Sequence, residues 1–443
     1  MDHESYAAAV HKTYESCIEE LERNKARFVK NPERDFTRER KISFSSCVHF
    51  CVEAGGGALQ SELLRHFSFA QTTPTKSAFC QQREKISPQA FAHLFAEFTD
   101  AIHALDAPKT WKGYQILASD GSAIYLPYNP ADVETFQQNG EKKGYNQLHL
   151  TAFYQMLDGY YRDCVVAPTG KTHERDAANA MIDRFPRCEK AIFLLDRGFE
   201  SYNTLAHLLL SGQKFVLRAK DIDSNGILST WSFPQTGEFD CQIETVLTRV
   251  RTRQTLTDID TYTVLSPHTP FDFLDEQRLF FPMKLRVVRM EIAPGVFECV
   301  FTNLDADEFP PQEIKKLYHM RWGEETSFRD LKYTLDLLHF HARKRSYVEQ
   351  EIYAGLVRFN FCGAICHHID SASLPNADHS RKYDYQICFA AAVTICLEYM
   401  KRACDSMNPC ALIVRFQLPV KPDRTFPRNI KPRRPRSFFY RTS

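Results

Sequence analysis

The sequence has no run of apolar residues long enough to cross a membrane. A membrane helix needs about 20 consecutive apolar residues, and no stretch of this 443-residue chain approaches that length. A secretory signal needs a basic start and an apolar run, whereas Met1 is followed by two acidic residues and a histidine. We therefore expect a protein that stays in the cytosol and has no membrane partner.

Paired CxxC motifs are also absent, although the chain has 14 cysteines. They are scattered from Cys17 to Cys410, which favours reduced structural thiols over a disulfide framework. The nearest approach to a zinc motif consists of Cys362, Cys366, His367 and His368. No second cluster accompanies it, and the apolar run around it favours a core-facing helix. His339 and His341 are a remote alternative, because residues two apart on a helix point to different sides.

A large net charge is absent as well, but the charges are segregated. The chain carries a net charge of +1. Residues 23–41 nevertheless contain eight basic and three acidic residues, and residues 421–441 contain eight basic residues and one acidic residue. Two basic segments in a nearly neutral protein favour an anionic polymer as partner. On charge alone, a solvated helix face and a solubilising tail would also explain them.

The length exceeds what one hydrophobic core usually serves, so several domains are expected. Apolar spacings of three and four predict a helical N-terminal domain, the candidate for DNA binding, at residues 1–110. Residues 111–220 predict three strands, then helix, strand, helix and strand, and residues 221–305 predict a β-rich insertion. Residues 306–375 are expected to close the core with a catalytic helix, and residues 312–340 predict one long helix, with an interruption as the alternative. Residues 376–443 predict a helical C-terminal region with a Pro- and Arg-rich tail.

The order of elements after residue 110 indicates the fold class. Three antiparallel strands followed by alternating helix and strand is the order of an RNase H-like core, although periodicity alone establishes only a mixed α/β sheet. We expect an α/β fold: an RNase H-like mixed sheet interrupted by the β-rich insertion, between a helical N-terminal domain and a helical C-terminal region.

Two aspartates follow apolar runs that predict strands. Asp120 comes just after residues 114–118, and Asp196 directly follows the buried strand predicted at residues 192–195. Sheets in α/β proteins usually place their sites at the carboxyl ends of strands. Taken singly, Asp120 also fits a turn, and Asp196 also fits a turn or a helix cap.

A third carboxylate lies in a helical pattern with three polar companions, which are Tyr318, Arg321, Glu325 and Lys332. At about 100° per residue they fall within an arc of roughly 60° on one side of a helix. Leucines cluster on the adjoining side and would pack the helix on the sheet. A salt-bridged surface helix is the ordinary alternative. The adjacent Glu324 is a rival carboxylate, and only the spacing to Arg321 and Lys332 favours Glu325.

The spacing Tyr318-x-x-Arg321-x-x-x-Glu325, with Lys332 seven residues further on, resembles the signature of bacterial insertion-sequence transposases of the group numbered four. Other short motifs also resemble those of that family: Asp120-Gly121-Ser122, Asp196-Arg197-Gly198-Phe199, Thr302-Asn303-Leu304, Arg321-Trp322 and Phe36-Thr37-Arg38-Glu39-Arg40-Lys41. The resemblance covers about residues 35–370. In that family the position before the glutamate more often holds an apolar residue, where this chain has Glu324.

The resemblance implies a DDE transposase whose catalytic carboxylates are Asp120, Asp196 and Glu325. Two hard cations about 4 Å apart can activate the nucleophile and neutralise the leaving group in phosphodiester cleavage, and such ions take oxygen ligands. Carboxylates from two strands and a helix supply those oxygens. We expect two Mg²⁺ ions, with Mn²⁺ as a substitute.

The companions of Glu325 then gain a role in binding the DNA backbone. Tyr318, Arg321 and Lys332 would hold phosphates beside the scissile bond, and such contacts position DNA without reading its sequence. Trp322 could stack on a nucleotide moved out of the duplex, although packing is the commoner role of a tryptophan. Sequence reading is expected from the N-terminal domain, whose candidates are Arg38, Arg40, Lys41, Lys76, Gln81, Gln82, Arg83 and Lys85.

The leading hypothesis is a cut-and-paste DNA transposase. Water cleaves at the ends of the mobile element, and the freed 3′-hydroxyls attack target DNA. The partner is double-stranded DNA, and the resemblance implies a hairpin intermediate and a homodimer on paired ends, in the bacterial cytoplasm and at the nucleoid when DNA is bound. An RNase H-like nuclease without strand transfer and a non-catalytic DNA-binding protein derived from a transposase are the alternatives.

Overall fold

A computed structural model describes residues 1–38, 40–140, 142–234, 236–369, 383–401, 407–420 and 437–441. A ten-stranded sheet forms its centre. Its strands are β1 (Gln115–Leu126), β2 (Phe136–Asn139), β3 (Lys142–Gln155), β4 (Tyr160–Pro168), β5 (Ala191–Leu195), β6 (Lys214–Ala219), β7 (Phe239–Thr248), β8 (Tyr262–Val264), β9 (Phe280–Ala293) and β10 (Val296–Thr302). Four short strands pair apart from it, namely β11 (His339–Phe340) with β14 (Phe439–Tyr440), and β12 (Asp384–Ile387) with β13 (Gln417–Val420).

The helices precede, interrupt and follow the sheet. They are α1 (His3–Arg23), α2 (Phe44–Glu53), α3 (Leu59–His66), α4 (Lys76–Arg83), α5 (Pro88–His103), α6 (Glu174–Arg184), α7 (Tyr202–Ser211), α8 (Arg253–Thr257), α9 (Pro311–Met320), α10 (Trp322–Tyr333), α11 (Arg345–His368), α12 (Phe389–Lys401) and α13 (Pro409–Arg415). None of the helices in the described residues is both long and apolar enough to span a membrane.

The sheet is mixed, with β1 near its centre. The order is β2-β3-β1-β5-β6-β10-β9-β7-β8, with β4 also pairing with β3. Strands β1, β3 and β4 are antiparallel neighbours, whereas β1, β5 and β6 run parallel. The strands of the segment predicted as a β-rich insertion, residues 221–305, extend this same sheet through the pairing of β10 with β6.

Helices cover both faces of the sheet. One apolar cluster joins β1, β5 and β6 to α6 and α7, and a second joins the opposite faces of these strands to α9. Parallel strands buried on both faces read as continuous apolar runs, and all five residues of β5 are buried. Because both faces of β5 are buried, its sequence does not alternate between apolar and polar residues.

The N-terminal helices and α11 to α13 form one further core with the outer face of β3 and β4. Helix α11 is buried over most of its length, as its apolar sequence on all sides requires. Its Asn360 accepts a hydrogen bond from the backbone N–H of Tyr161 on β4 and donates one to Thr99 Oγ1 on α5, at 2.8 and 2.9 Å. The amide therefore joins three elements that are far apart in sequence.

The described cysteines are free thiols. Cys362 and Cys366 lie in the core on α11, as the core-facing interpretation predicts. His339 and His341 do not share a helix, because residues 339–340 form the short strand β11. The basic tail at residues 421–436 lies outside the described residues.

The long helix predicted at residues 312–340 is divided. Helix α9 ends at Met320, α10 begins at Trp322, and the N–H of Glu324 bonds to the carbonyl of Arg321 in a tighter turn. The helical pattern also ends early, because Asp336 has a positive φ of 56°, a conformation that does not continue a right-handed helix. The prediction that the helix reaches residue 340 is wrong.

Arg83 is buried and is therefore not accessible to DNA. The prediction that it helps to read the DNA sequence is wrong. Its Nη1 lies 3.0 Å from Glu351 Oε1, its Nε donates to Gln350, and its Nη2 donates to the carbonyl of Tyr347. Burial opposes the charge of Glu351, but Arg83 and His341 outweigh it and lower the pKa of Glu351 to about 2. The pair joins α4 to α11.

Replacing Arg83 by Met should destabilise the protein strongly. Removal of one partner leaves Glu351 as an uncompensated buried charge, which costs about 3–5 kcal/mol. Because the pKa of Glu351 is lowered in the folded state, this contribution is present above the unfolded pKa of about 4.3 and is lost as the pH falls toward the folded value. The difference in urea unfolding free energy should therefore be large at pH 7 and smaller at pH 3.

The matched control is Lys76→Met on the same helix, because Lys76 is exposed and should change stability by less than about 0.5 kcal/mol. Equal losses for the two variants at pH 7 would show that the buried pair does not matter.

Candidate active site

Asp120 and Asp196 occupy neighbouring positions on two parallel strands. The register pairs Ser119 of β1 with Leu195 of β5, so each strand places an aspartate next. The residues two and four positions before each aspartate lie in the apolar cluster on the α9 face. Because side chains alternate along a strand, both carboxylates face that same side.

Asp120 is held in a setting that disfavours its charge. Its Oδ1 accepts a hydrogen bond of 2.8 Å from the N–H of Gly121. Burial raises the pKa of Asp120, and the negative charges of Glu174 and Asp196 raise it further. The Gly121 N–H and the charge of Arg321 act in the opposite direction. A positive ion at this place would therefore be favourable.

Asp196 also caps a short 3-10 turn. Its Oδ1 accepts a hydrogen bond of 3.0 Å from the N–H of Gly198, within the turn Arg197–Phe199. Asp196 thus has the capping role that the sequence left open as an alternative. It fixes the carboxyl group at the end of β5, beside Asp120.

The two adjacent glutamates of α10 lie in opposite surroundings. Glu324 is fully buried, and neither of its oxygens has a hydrogen-bond partner of normal geometry among the described residues. Burial raises the pKa of Glu324 well above its usual range, and the charge of Asp120 adds to this effect. Glu325 is 44% exposed, and its Oε1 accepts a bond of 3.1 Å from Nη2 of Arg321. Glu324 lies inside the site and Glu325 at its rim.

The polar companions predicted on this helix lie at the same place. Arg321 is only 4% exposed, and its guanidinium lies 5.6 Å from the ring centre of Tyr318. Burial raises the pKa of Tyr318 to about 12. Lys332 is half-buried, and burial lowers its pKa although Asp120 opposes this. The side chain of Trp322 lies outside the described part of the chain, so its stacking stays a prediction.

Several buried polar atoms of this site lack a hydrogen-bond partner in the described structure. They are both oxygens of Glu324, the hydroxyl of Tyr318 and Nε of Arg321. Buried polar groups are normally paired, so these atoms are available to bind water or a ligand. No three His, Cys, Asp or Glu side chains of the described residues already meet in a group able to hold a metal ion.

Sequence reasoning missed two residues that lie against β1 next to Asp120, namely Glu174 and His149. Both lie against Gly121, where a Cβ atom would collide with the Glu174 carboxylate and the His149 ring. His149 Nε2 lies 3.5 Å from Glu174 Oε1. The available signal was the glycine after Asp120, which reads as a turn residue but here makes room for other side chains.

A buried hydrogen-bond chain fixes the rotation of α10. The hydroxyl of Tyr161 lies 3.0 Å from Ser327 Oγ, which donates a bond of 2.8 Å to the carbonyl of Glu324. Ser327 is one turn from Glu324 and so lies on the same side of the helix. The contact therefore turns Glu324 inward and leaves Glu325 at the rim.

Replacing Glu324 by Gln should alter how stability depends on pH. The pKa of Glu324 is higher in the folded than in the unfolded protein. Its contribution to stability is therefore fully present below the unfolded pKa of about 4.3 and is lost as the pH rises toward the folded pKa. Glutamine does not ionise. In EDTA, the melting temperature of the wild type should fall relative to that of Glu324→Gln between pH 5 and pH 8. Glu325→Gln, at the exposed neighbour, is the control. A constant wild-type to Glu324→Gln difference across this range would contradict the assigned environment.

Comparison with known proteins agrees with the motifs. A profile of the transposase DDE domain matches residues 111–360, more than half of the chain. The chain is 21% identical over 372 residues to the transposase InsG for insertion sequence element IS4 of Escherichia coli (strain K12), covering 81% of this chain and 76% of that protein. A cryo-EM structure of piggyBac transposase in a synaptic complex with hairpin DNA matches with 9% identity and a TM-score of 0.43, over 81% of this chain and 69% of the other. The resemblance inferred from the sequence is confirmed: the chain belongs to the DDE transposase family, among the transposases of insertion sequences.

Proposed function

We propose that this protein cuts DNA at the ends of an insertion sequence and joins the freed 3′-hydroxyls to target DNA in a metal-dependent, cut-and-paste reaction. The observation that carries the proposal is that Asp120 and Asp196 follow adjoining positions of two paired strands, with Glu324 of α10 close to Asp120 and Arg321, which binds Glu325, close to Asp196. Phosphodiester transfer needs anionic oxygens from several rigid elements around one point. A strand pair and a docked helix supply them.

The proposed core is RNase H-like. Its support is the succession of antiparallel β1, β3 and β4, then α6, β5, α7 and β6 with β5 and β6 parallel to β1. We retain the division at residues 1–110, 111–220, 221–305, 306–375 and 376–443 as a proposal. Within it, the N-terminal helices share a core with α11, so DNA held by the first segment would be positioned relative to the site.

Asp120, Asp196 and Glu325 are the proposed ligands of two Mg²⁺ ions, with Mn²⁺ as a substitute. When bound, such ions lower the pKa of the attacking hydroxyl and neutralise the leaving oxygen. The donor set fits hard cations, because carboxylate oxygens are the ligands they prefer. Glu324 is the rival ligand on α10, and its buried, unpartnered oxygens support a place near an ion.

Arg321 connects DNA binding to the carboxylates. In the structure its Nη2 is bonded to Glu325, and its Nε has no partner among the described residues. A backbone phosphate that binds Arg321 would compete with Glu325 and release its carboxylate toward Asp196. Tyr318 and Lys332 flank this point and are proposed as further phosphate contacts, which position the DNA. Trp322 is proposed as a base-stacking residue.

The proposed partner is double-stranded DNA, both the terminal inverted repeats and the target. Action as a homodimer on paired ends, a hairpin intermediate, and a bacterial cytoplasmic location with nucleoid association when DNA is bound rest on the family resemblance alone. A nuclease without strand transfer is the second candidate, because it would use the same carboxylates.

Incubation of the purified protein with its own element's terminal repeats and Mg²⁺ should give cleaved ends, and added plasmid should give joined products. Asp196→Asn and Glu325→Gln should each lower cleavage by about 100-fold or more, by loss of a metal ligand, with DNA affinity in gel shifts little changed. Ends that stay intact under conditions of stable binding would refute the proposal. Cleaved ends that are never joined would favour the nuclease.

Tyr161→Phe tests whether the rotation of α10 matters for the reaction. The change removes only the hydroxyl that contacts Ser327 and should cost about 0.5–1.5 kcal/mol of stability. It should also lower the cleavage rate several-fold at saturating DNA while leaving DNA affinity unchanged. The control is Tyr160→Phe on the same strand, whose hydroxyl contacts His103 instead. Equal cleavage rates for both variants would mean that the hydroxyl does not position the helix.

A further inference from the structure

Arg218 continues the row of polar residues at the strand ends that begins with Asp120 and Asp196. The last paired residues of the parallel strands β5 and β6 directly precede Asp196 and Arg218, so these two residues lie next to each other. Val216, two residues before Arg218, is buried in the apolar cluster on the α9 face of the sheet. Because side chains alternate along a strand, Arg218 faces the same side of the sheet as the two aspartates.

A glutamate of the adjoining strand holds this arginine. Nη2 of Arg218 lies 2.5 Å from Oε1 of Glu298 on β10. Val300, two residues further along β10, belongs to the cluster on the α9 face, so Glu298 lies on that face too. The side chain of Arg218 is 32% exposed, and solvent therefore reaches the pair. Ion pairs with such exposure contribute little to stability, so the arginine can exchange its partner at small cost.

The hydroxyl of Tyr318 on α9 lies near two arginines. Tyr318 is buried in the cluster on the α9 face, and its hydroxyl has no hydrogen-bond partner among the described residues. Burial raises the pKa of Tyr318, and the charges of Arg321 and Arg218 lower it. The charges of Asp196 and Glu298 also act on this pKa, in the opposite direction. The phenol and these four charged groups therefore form one cluster at the end of β5 and β6.

The donors of this cluster fit a phosphate group. Arg218 is paired with Glu298 and Arg321 with Glu325, so each arginine holds a carboxylate oxygen in a position that a phosphate oxygen can take. Arginine binds phosphates and carboxylates through the same donor geometry. Nε of Arg321 and the hydroxyl of Tyr318 are buried donors without a partner in the described structure. A group with several anionic oxygens would accept hydrogen bonds from these donors.

We propose that Arg218 exchanges Glu298 for a DNA phosphate and, with the hydroxyl of Tyr318, binds the phosphate next to the one that is cleaved. Neighbouring strands lie about 4.8 Å apart, so a phosphate held at the end of β6 is one strand removed from Asp196. Glu298 keeps the arginine in place before DNA arrives. The proposal rests on the DNA cleavage proposed above, and it adds a contact from β6 that the helix motif does not contain.

The ordinary alternative is an ion pair that only joins β6 to β10. In that case Arg218→Met and Glu298→Gln break the same pair and have the same effect. The proposal instead predicts effects of opposite sign on DNA affinity, because one change removes the phosphate ligand and the other removes its competitor. The measured quantity is the affinity of the full-length protein for a duplex of its own element's terminal repeat, in EDTA so that no metal-dependent cleavage occurs.

Arg218→Met should weaken binding by about 10-fold, as expected for the loss of a hydrogen bond to a charged group. It should also reduce the slope of log affinity against log salt concentration by about 0.9, the effect of one lost phosphate contact. Glu298→Gln should strengthen binding several-fold and leave that slope unchanged. The matched controls are Lys284→Met and Glu244→Gln, which break an exposed pair between β9 and β7 of the same sheet, 2.6 Å apart. Neither control should alter the affinity.

A duplex with a neutral methylphosphonate in place of one phosphate locates the contact. Placed next to the scissile phosphate, the methylphosphonate should weaken binding by the wild type about 10-fold. Binding by Arg218→Met should then change little, because this protein has already lost the contact and the two changes are not additive. Equal losses of affinity in the two proteins would refute a direct contact.

Equal binding of the unmodified repeat by the wild type and Arg218→Met would overturn the role of Arg218 and leave the proposed function intact. Weaker binding by both Arg218→Met and Glu298→Gln would show that the ion pair acts only as a structural link. A wild type that does not bind the repeat at all would overturn the proposed function as well. If Arg218→Met fails to fold, Glu298→Gln still decides the question: its gain in affinity over the wild type should disappear on the methylphosphonate duplex, and a gain that persists there, or no gain on the unmodified repeat, would refute the proposal.

Discussion

The parallel pairing of β1 with β5 is the constraint on which the site depends. A parallel ladder brings two carboxyl ends to the same edge, and the register with Ser119 opposite Leu195 makes the next residues Asp120 and Asp196 neighbours. A shift of one residue in either strand would turn its aspartate to the opposite face. In this register the apolar residues that precede each aspartate are buried in separate clusters on the two faces.

Helix α10, by contrast, is positioned by contacts that lie away from the β1–β5 pair. Tyr161 holds Ser327 on α10, and Asn360 of α11 holds the backbone of Tyr161. Asn360 also reaches Thr99 of the N-terminal helix α5. The place of Glu324 is thus determined by a path of short bonds that begins in the N-terminal helices. Loss of packing in those helices would reach the site although they contribute no residue to it.

The features that depend on local sequence patterns were predicted well. The apolar runs that precede Asp120 and Asp196 lie in β1 and β5, as predicted, because each run is apolar throughout and a polar residue follows it. The helix motif suggested that Arg321 and Lys332 lie near Asp120. In the structure, the charge of Arg321 lowers the pKa of Asp120, and the charge of Asp120 raises the pKa of Lys332. These predictions needed only the periods of strand and helix.

Features determined by distant contacts were not predictable in the same way. Arg83 lies in a basic, polar stretch that resembles a DNA-binding surface, and only its burial against Glu351 shows otherwise. Glu174 is a common residue for the start of a helix, and its meeting with Gly121 depends on how α6 crosses the sheet. The inward rotation of Glu324 depends on Tyr161, more than 160 residues earlier in the chain.

The continuity of the sheet has a mechanical consequence for the β-rich segment. Strand β10 is hydrogen-bonded to β6, and β6 to β5, whose end carries Asp196. Buried Arg286 and Arg289 bind Asp240 and Asp221, which fasten β9 to its surroundings from within. Such a segment cannot swing on a hinge without breaking ladder bonds. A load applied to it by bound DNA would instead be transmitted as a twist through two strands to the carboxylate of Asp196.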